Sequence, residues 1–331
     1  MATTIAPDKI LKELAELWVN SGKEEQAGGG AGMLRACSMT LLVLAEAQED
    51  TQDLGETIAA LMPEHPARAI LARLSGKGER SLTERVYQQC WRPFGQRRQI
   101  CCEQVEITVS DAALADLESV VLPLTVADLP LIVWCRSPRL FAMPEFGAIA
   151  RLAQKVILDS ASASDPAALL DRMQGAVANR VLLGDLAWTI LTRWREMLAQ
   201  VFENQQIAAL LANVATADVE WGGSRYVPAL YLGAWVRDAL AAAGVSVRLQ
   251  VSHTVKEDFL RVRLAGTGID AQLTREDDRM VVTLNGASQC TNLPKATDYL
   301  LMREELGIVR RDPVFERTLA SAARLAHPIE R

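Results

Sequence analysis

Apolar residues along the chain recur either with the period of a helix or in short continuous runs, and their succession predicts the architecture. Residues 8 to 20 place Ile10, Leu11, Leu14, Leu17 and Trp18 on one helical stripe. Ser21 to Gly32, with Gly28, Gly29, Gly30 and Gly32, reads as a flexible link: it lacks the Gly-Lys-Ser/Thr of a phosphate loop, and the next segment reads as a strand. From Met39 the pattern predicts a strand (39–45), a helix (54–61) and a strand (68–74) introduced by His65-Pro66, the start of a βαβ unit. Strands at 85–91 and 99–109 flank the turn-like Arg92-Pro93-Phe94-Gly95. A helix (114–122), a strand (131–135), a helix (146–153), a strand (156–158) and a helix (166–178) capped by Asp165 follow. Alternation of this kind predicts a mostly parallel sheet covered by helices on both faces.

The longest predicted helix, 185–203, puts Ala187, Leu191, Trp194, Leu198 and Val201 on one face and closes the first domain. After it the style changes. A strand (216–221) and a helix (228–243) lead into four strand candidates in succession, 245–253, 259–264, 269–274 and 280–284, joined by tight polar turns. Helices at 295–306 and 313–326 complete the chain. The expected fold is α/β, with a smaller α+β domain built on an antiparallel sheet. Its expected divisions are an N-terminal helix and linker over 1–32, an α/β domain over 33–205 and the α+β domain over 206–331.

The 331 residues allow roughly two domains, each with its own core. With 50% hydrophobic and 23% charged residues, the composition is that of a globular chain and not of a disordered or fibrous one. A formal net charge of -6 without a long basic run argues against binding a nucleic-acid backbone. Charged residues interrupt the first twenty positions, and no stretch of about 18 apolar residues occurs, so neither a signal peptide nor a membrane span is expected. Six cysteines without a CxxC pair read as reduced and cytoplasmic, with Cys101 and Cys102 on opposite faces of one strand. Only His65, His253 and His327 are present, with no metal-ligand spacing and no GxSxG elbow, so no metal site and no catalytic triad is expected.

Gly266-Thr-Gly268-Ile-Asp-Ala271 matches the dinucleotide fingerprint GxGxxA in letters only. The fingerprint must lead into a helix, whereas Ile269 to Thr274 alternates as a strand, so a hairpin turn is expected and no cofactor is assigned. Ligands of parallel sheets bind beyond the carboxyl ends of strands, where Glu46, Arg73, Arg136, Asp159 and Ser160 emerge. Arg73, Arg136, Asp159 and Ser160 are the candidate ligand residues for a sugar phosphate or nucleotide; a salt bridge between solvated strand ends is the alternative. On the 185–203 helix, Trp194 falls within the apolar face, whereas Trp188 and Arg195 fall on its shoulder. Those two are the candidate partner-binding residues, because Trp and Arg are enriched at interface hot spots. Their replacement by Ala is expected to leave the fold intact.

A set of short ordered motifs resembles a known family, the glucose-6-phosphate dehydrogenase assembly proteins called OpcA. It runs through Arg35 to Leu41, His65 to Ala69, Ser119 to Leu124, Asp128 to Trp134, Ile157 to Ala161, Asp185 to Thr189 with Leu191-Thr192 and Trp194-Arg195, and Tyr231 to Trp235. The resemblance implies a non-catalytic subunit that binds glucose-6-phosphate dehydrogenase and promotes its assembly or allosteric activation in the oxidative pentose phosphate pathway. An autonomous sugar-phosphate or nucleotide sensor, or an enzyme, using the strand ends near Arg136 and Asp159, is the second expectation.

Overall fold

The computed structural model describes residues 6–27, 33–91 and 99–327. Its elements in chain order begin with α1 (Pro7–Ala27), β1 (Met33–Arg35), β2 (Met39–Glu46), α2 (Thr51–Leu61), β3 (Ala67–Leu74), β4 (Leu82–Trp91), β5 (Gln99–Val109) and α3 (Leu114–Leu124). There follow β6 (Leu131–Cys135), α4 (Pro138–Phe141), α5 (Phe146–Leu152), β7 (Lys155–Leu158), α6 (Pro166–Ala178), β8 (Leu183–Asp185), α7 (Leu186–Thr189), α8 (Thr192–Val201) and α9 (Gln205–Ala208). The last are β9 (Val214–Trp221), α10 (Tyr226–Ala242), β10 (Arg248–His253), β11 (Leu260–Gly266), β12 (Ile269–Glu276), β13 (Arg279–Leu284), β14 (Ala287–Asn292), α11 (Asp298–Gly307) and α12 (Pro313–Ala326). The fold is α/β.

Eight strands form a first sheet in the order β1-β5-β3-β2-β6-β7-β8, with β4 antiparallel to β5 at its side. The other pairings given by register, β1–β5, β3–β5, β2–β3, β2–β6 and β6–β7, are parallel. Central β2, with Leu41, Leu42, Val43 and Leu44 all buried, is apolar on both faces, as a parallel strand covered on both sides must be. Helix starts follow local chemistry: Asp50 caps α2 by accepting from the Gln52 amide, and Asp165 caps α6 by accepting from Ala168, with Pro166 at the first helical position.

Six strands form a second sheet in the order β10-β9-β11-β12-β13-β14. It is mixed and not purely antiparallel, since β10 runs parallel to β9 after the crossover through α10. Its buried face carries Ala217, Val219, Val262, Leu264, Ala271, Leu273 and Met280, and α10 packs on β9 and β10. Gly266 pairs with Ile269 across the β11–β12 turn, and Gly268 takes the left-handed backbone at φ +78°. The GxGxxA letters therefore make a hairpin turn.

The chain divides into two compact units. One comprises the residues up to Leu158 with Val181–Gly184 and Asp298–Val309; the other comprises Asp159–Arg180, Asp185–Thr297 and the residues from Arg310. So α11, although late in the chain, belongs to the first unit.

Several expectations are corrected. The 185–203 helix is three elements: Asp185 ends β8 and caps α7, the Leu191 amide closes a tight turn on the Trp188 carbonyl, and α8 restarts at Thr192. The helix α1 runs on to Ala27, so residues 21–27 of the expected linker are helical; Gly28, Gly29, Gly30 and Gly32 lie outside the described residues, as does the Arg92-Pro93-Phe94-Gly95 turn. Strand β14 was missed because all six of its residues are exposed and carry no apolar signal. Cys90 and Cys101 are not reduced: they stand directly opposite each other in the β4–β5 ladder and form a disulfide. Cys37, Cys102, Cys135 and Cys290 are free thiols.

Candidate functional site

Strands β5-β3-β2-β6-β7-β8, renumbered by their place along the chain, follow the order 3-2-1-4-5-6 of a doubly wound nucleotide-binding sheet. The order reverses between β2 and β6, and ligands of such sheets bind beyond the carboxyl ends of those two strands. Glu46 is the last residue of β2, Arg73 lies at the end of β3, and Arg136 follows β6 directly.

Each of these groups is held by protein atoms. Arg136 Nε donates to Glu49 Oε2 at 2.5 Å and its Nη1 donates to Asp298 at the start of α11, while the guanidinium lies over the Trp134 ring at 4.8 Å. Burial pushes the Arg136 pKa down, but the bonds to Asp298 and Glu49 outweigh it and leave it raised. Arg139 Nη2 donates to Glu46 Oε2 at 3.0 Å and Nη1 to Asp111 Oδ2 at 3.1 Å. The Ser137 hydroxyl donates to Glu46 and accepts the Leu140 amide that opens α4. Burial raises the Glu46 pKa, and the bonds from Arg139 and Ser137 bring it below the usual carboxylate value. Arg73 donates to the carbonyls of Ala47 and Glu49, in the turn between β2 and α2.

In the second unit, Asp185 is fully buried and collects four donors. Its Oδ1 accepts the amides of Ser160 and Ala187 at 3.0 Å each, and its Oδ2 accepts the Ser160 hydroxyl and the Tyr231 hydroxyl, the latter at 2.7 Å. Burial outweighs these bonds and pushes the Asp185 pKa up to about 6. Asp159 accepts the Ala161 amide as a helix cap.

Trp188 is 4% exposed and packs against Tyr231 and Phe315, with ring centroids at 5.9 Å in both cases. Arg195 lies over its ring at 3.6 Å to the centroid and donates to the Trp188 carbonyl at 2.9 Å. The break between α7 and α8 turns Trp188 inward, whereas a continuous helix would leave it on the shoulder. Replacing Trp188 by Ala therefore empties a core position, with a cost of about 3–5 kcal/mol, and does not leave the fold unaffected.

Arg73 and Arg136 belong to the first unit, and Asp159, Ser160, Trp188 and Arg195 to the second. Reading strand ends found Glu46, Arg73 and Arg136 but missed Glu49, Asp111, Arg139 and Asp298. These lie in loops and at helix starts, and they meet only because the strand order brings them to one end of the sheet. Among the described residues no group of three or more His, Cys, Asp or Glu side chains is arranged to hold a metal ion, and no helix is long and apolar enough to cross a membrane.

Residues 58–175 match the family model described as the glucose-6-phosphate dehydrogenase subunit N-terminal domain, and residues 182–319 match the corresponding C-terminal domain. The chain belongs to the OpcA family of glucose-6-phosphate dehydrogenase assembly proteins. A protein of Synechococcus elongatus named for OpcA and the OxPP cycle is 25% identical over 229 residues, covering 65% of this chain and 51% of its own length. A protein of the same name from Nostoc punctiforme is 26% identical over 182 residues, covering 51% of this chain and 38% of its own length. The chain thus spans about half the length, or less, of these curated relatives. Among solved structures, a point variant of KijD10, a 3-ketoreductase from Actinomadura kijaniata in complex with TDP-benzene and NADP, matches with a TM-score of 0.50 at 10% identity. That match covers 87% of this chain and 95% of KijD10, and it is a likeness of fold.

The segments that resemble OpcA proteins do structural work here. Arg68, from His65 to Ala69, donates to buried Glu103 at 2.5 Å and to the Leu124 carbonyl at 2.7 Å, and Arg35 and Trp18 Nε1 reach the same carboxylate at 2.6 Å. Asp185 and Tyr231, from two further segments, meet in the hydrogen-bonded cluster already described.

Proposed function

We propose that the chain is a non-catalytic subunit that binds glucose-6-phosphate dehydrogenase and promotes its assembly or allosteric activation in the oxidative pentose phosphate pathway. The observation that carries this reading is the match of both parts of the chain to models of glucose-6-phosphate dehydrogenase subunit domains. The side-chain chemistry agrees with it. The arginines at the sheet mouth are bound by the chain's own carboxylates or carbonyls.

Activation of this kind needs only a difference in affinity for two states of the enzyme, typically 1–3 kcal/mol or about 5–150-fold. The test mixes the purified chain with glucose-6-phosphate dehydrogenase from the same organism and follows complex size by light scattering and NADP reduction in the same samples. A stable complex with altered kinetics is expected; two folded proteins that neither associate nor change in rate defeat the reading.

The Trp188–Arg195 pair serves as the partner contact in this proposal, with Arg195 as the half-exposed contact and Trp188 as its buried support. Arg195→Ala is expected to weaken the complex about 5–30-fold, the loss of roughly 1–2 kcal/mol at an interface arginine. Circular dichroism serves as the fold control, and an unchanged Kd removes α8 from the interface.

A further inference from the structure

The turn after the first strand of a doubly wound sheet normally binds the dinucleotide pyrophosphate. Glycines let the backbone approach it, and free amides at the helix start receive its charge. In this chain the turn is Ala47-Gln48-Glu49-Asp50, without a glycine. Donors in and beside it are taken by the chain itself: the Glu46 amide donates to Glu49 Oε1, the Ala47 amide to the Leu74 carbonyl, the Glu49 amide to the Glu46 carbonyl, and the Gln52 amide to Asp50. The start of α2 carries the carboxylates of Asp50 and Asp53, which answer the helix dipole and repel a second anion. Arg73, at the strand end where an arginine could take a 2′-phosphate, donates instead to the carbonyls of this same turn. The residues present do not fit a dinucleotide.

We infer that the former nucleotide mouth between β2 and β6 has become a clasp, in which Glu49 and Asp298 bind Arg136 and Glu46 binds Arg139, so that the cations an anionic ligand would need are held by the chain's own carboxylates. The clasp holds α11 by its first turn, since Asp298 is the residue that closes on Arg136. A second contact from α11 points the same way: Tyr299 Oη and Arg303 Nε reach Glu64 just beyond α2, at 3.1 and 3.0 Å. Arg136 is therefore a positioning residue for a helix, and it is not available to a nicotinamide dinucleotide. The inference concerns the isolated chain and does not depend on the partner proposed above.

The experiment titrates NADPH and NADP+ into the isolated full-length chain, reading NADPH fluorescence and thermal unfolding. Arg136→Ala is measured beside the wild type. The expected result is no saturable fluorescence change and no rise in Tm up to about 1 mM nucleotide, where a ligand of 10 µM Kd would add about 2.7 kcal/mol. Arg136→Ala should lower Tm by about 3–6 °C, as expected for losing both ion pairs in a chain of this size. Saturable NADPH binding that NADP+ displaces would overturn the inference while leaving complex formation with the dehydrogenase untouched. An Arg136→Ala chain that unfolds at the wild-type temperature would overturn it as well, because the arginine would then hold nothing.

Discussion

Lys155→Met is expected to destabilise the chain by about 3–5 kcal/mol, the usual cost of removing one partner from a buried ion pair. Lys155 begins β7 with its side chain 4% exposed, and its ammonium donates to Glu305 Oε1 at 2.7 Å, to the Glu305 carbonyl at 2.7 Å and to the Ile308 carbonyl at 2.8 Å. One lysine thus neutralises a buried carboxylate and satisfies two carbonyls at the end of α11. Met keeps the length and apolar stem of the side chain, so its loss reports on the charge and the hydrogen bonds and not on packing volume. Gly184 closes the same pocket: a Cβ there would stand 2.1 Å from Glu305 Oε1. Chemical denaturation of Lys155→Met, Glu305→Leu and the double variant gives the coupling directly. The double variant should recover a large part of the loss because no charge is left unpaired; additive losses, or a Lys155→Met cost below about 1 kcal/mol, would show that water reaches the pair.

Asp185 makes stability depend on pH in the direction opposite to an ordinary salt-bridged carboxylate. Its pKa is pushed up to about 6 by burial in the folded chain, against about 3.9 when unfolded. Between those values the folded chain holds a proton that the unfolded chain has released. The contribution is fully present below about pH 4 and is lost as pH rises through about 6, amounting to about 3 kcal/mol. Glu46 and Asp270, whose pKa values are lowered, act with the opposite sign and lose their contribution on acidification. The informative quantity is therefore the difference between the wild type and Asp185→Asn, measured by urea unfolding from pH 4 to pH 7. Asn can accept the Ser160 and Ala187 amides while the Ser160 and Tyr231 hydroxyls turn to receive its N–H groups. The variant should gain on the wild type as pH rises; parallel curves would show that Asp185 does not titrate in this range.

The sheet mouth was legible in part. Short apolar runs alternating with helices implied a parallel sheet, and such a sheet directs attention to the residues at its strand ends, so Glu46, Arg73 and Arg136 could be named in advance. Their partners could not. Asp298 meets Arg136 from 162 positions away, on a helix that only tertiary packing assigns to the first unit. Lys155 was missed for a related reason: it sits one residue before the run Val156 to Leu158 and looks like a polar boundary until α11 presents its carbonyls. Trp188 was placed on a helix shoulder by extending one period across Ile190 and Leu191, a step that the Asp185 cap and the tight turn at Leu191 interrupt.

Local pattern by itself determined the α/β class, the βαβ beginning, most of the strands and helices, and the hairpin that replaces a dinucleotide fingerprint at Gly266 to Ala271. These depend on periodicity and turn chemistry over about ten residues, which a linear sequence displays. Only the tertiary structure decided the Cys90–Cys101 bridge, the parallel pairing of β10, the place of α11 and the closing of the arginines by carboxylates. Each depends on which distant segments become neighbours, and strand order and register fix that through burial summed over a whole sheet rather than through the properties of any one segment.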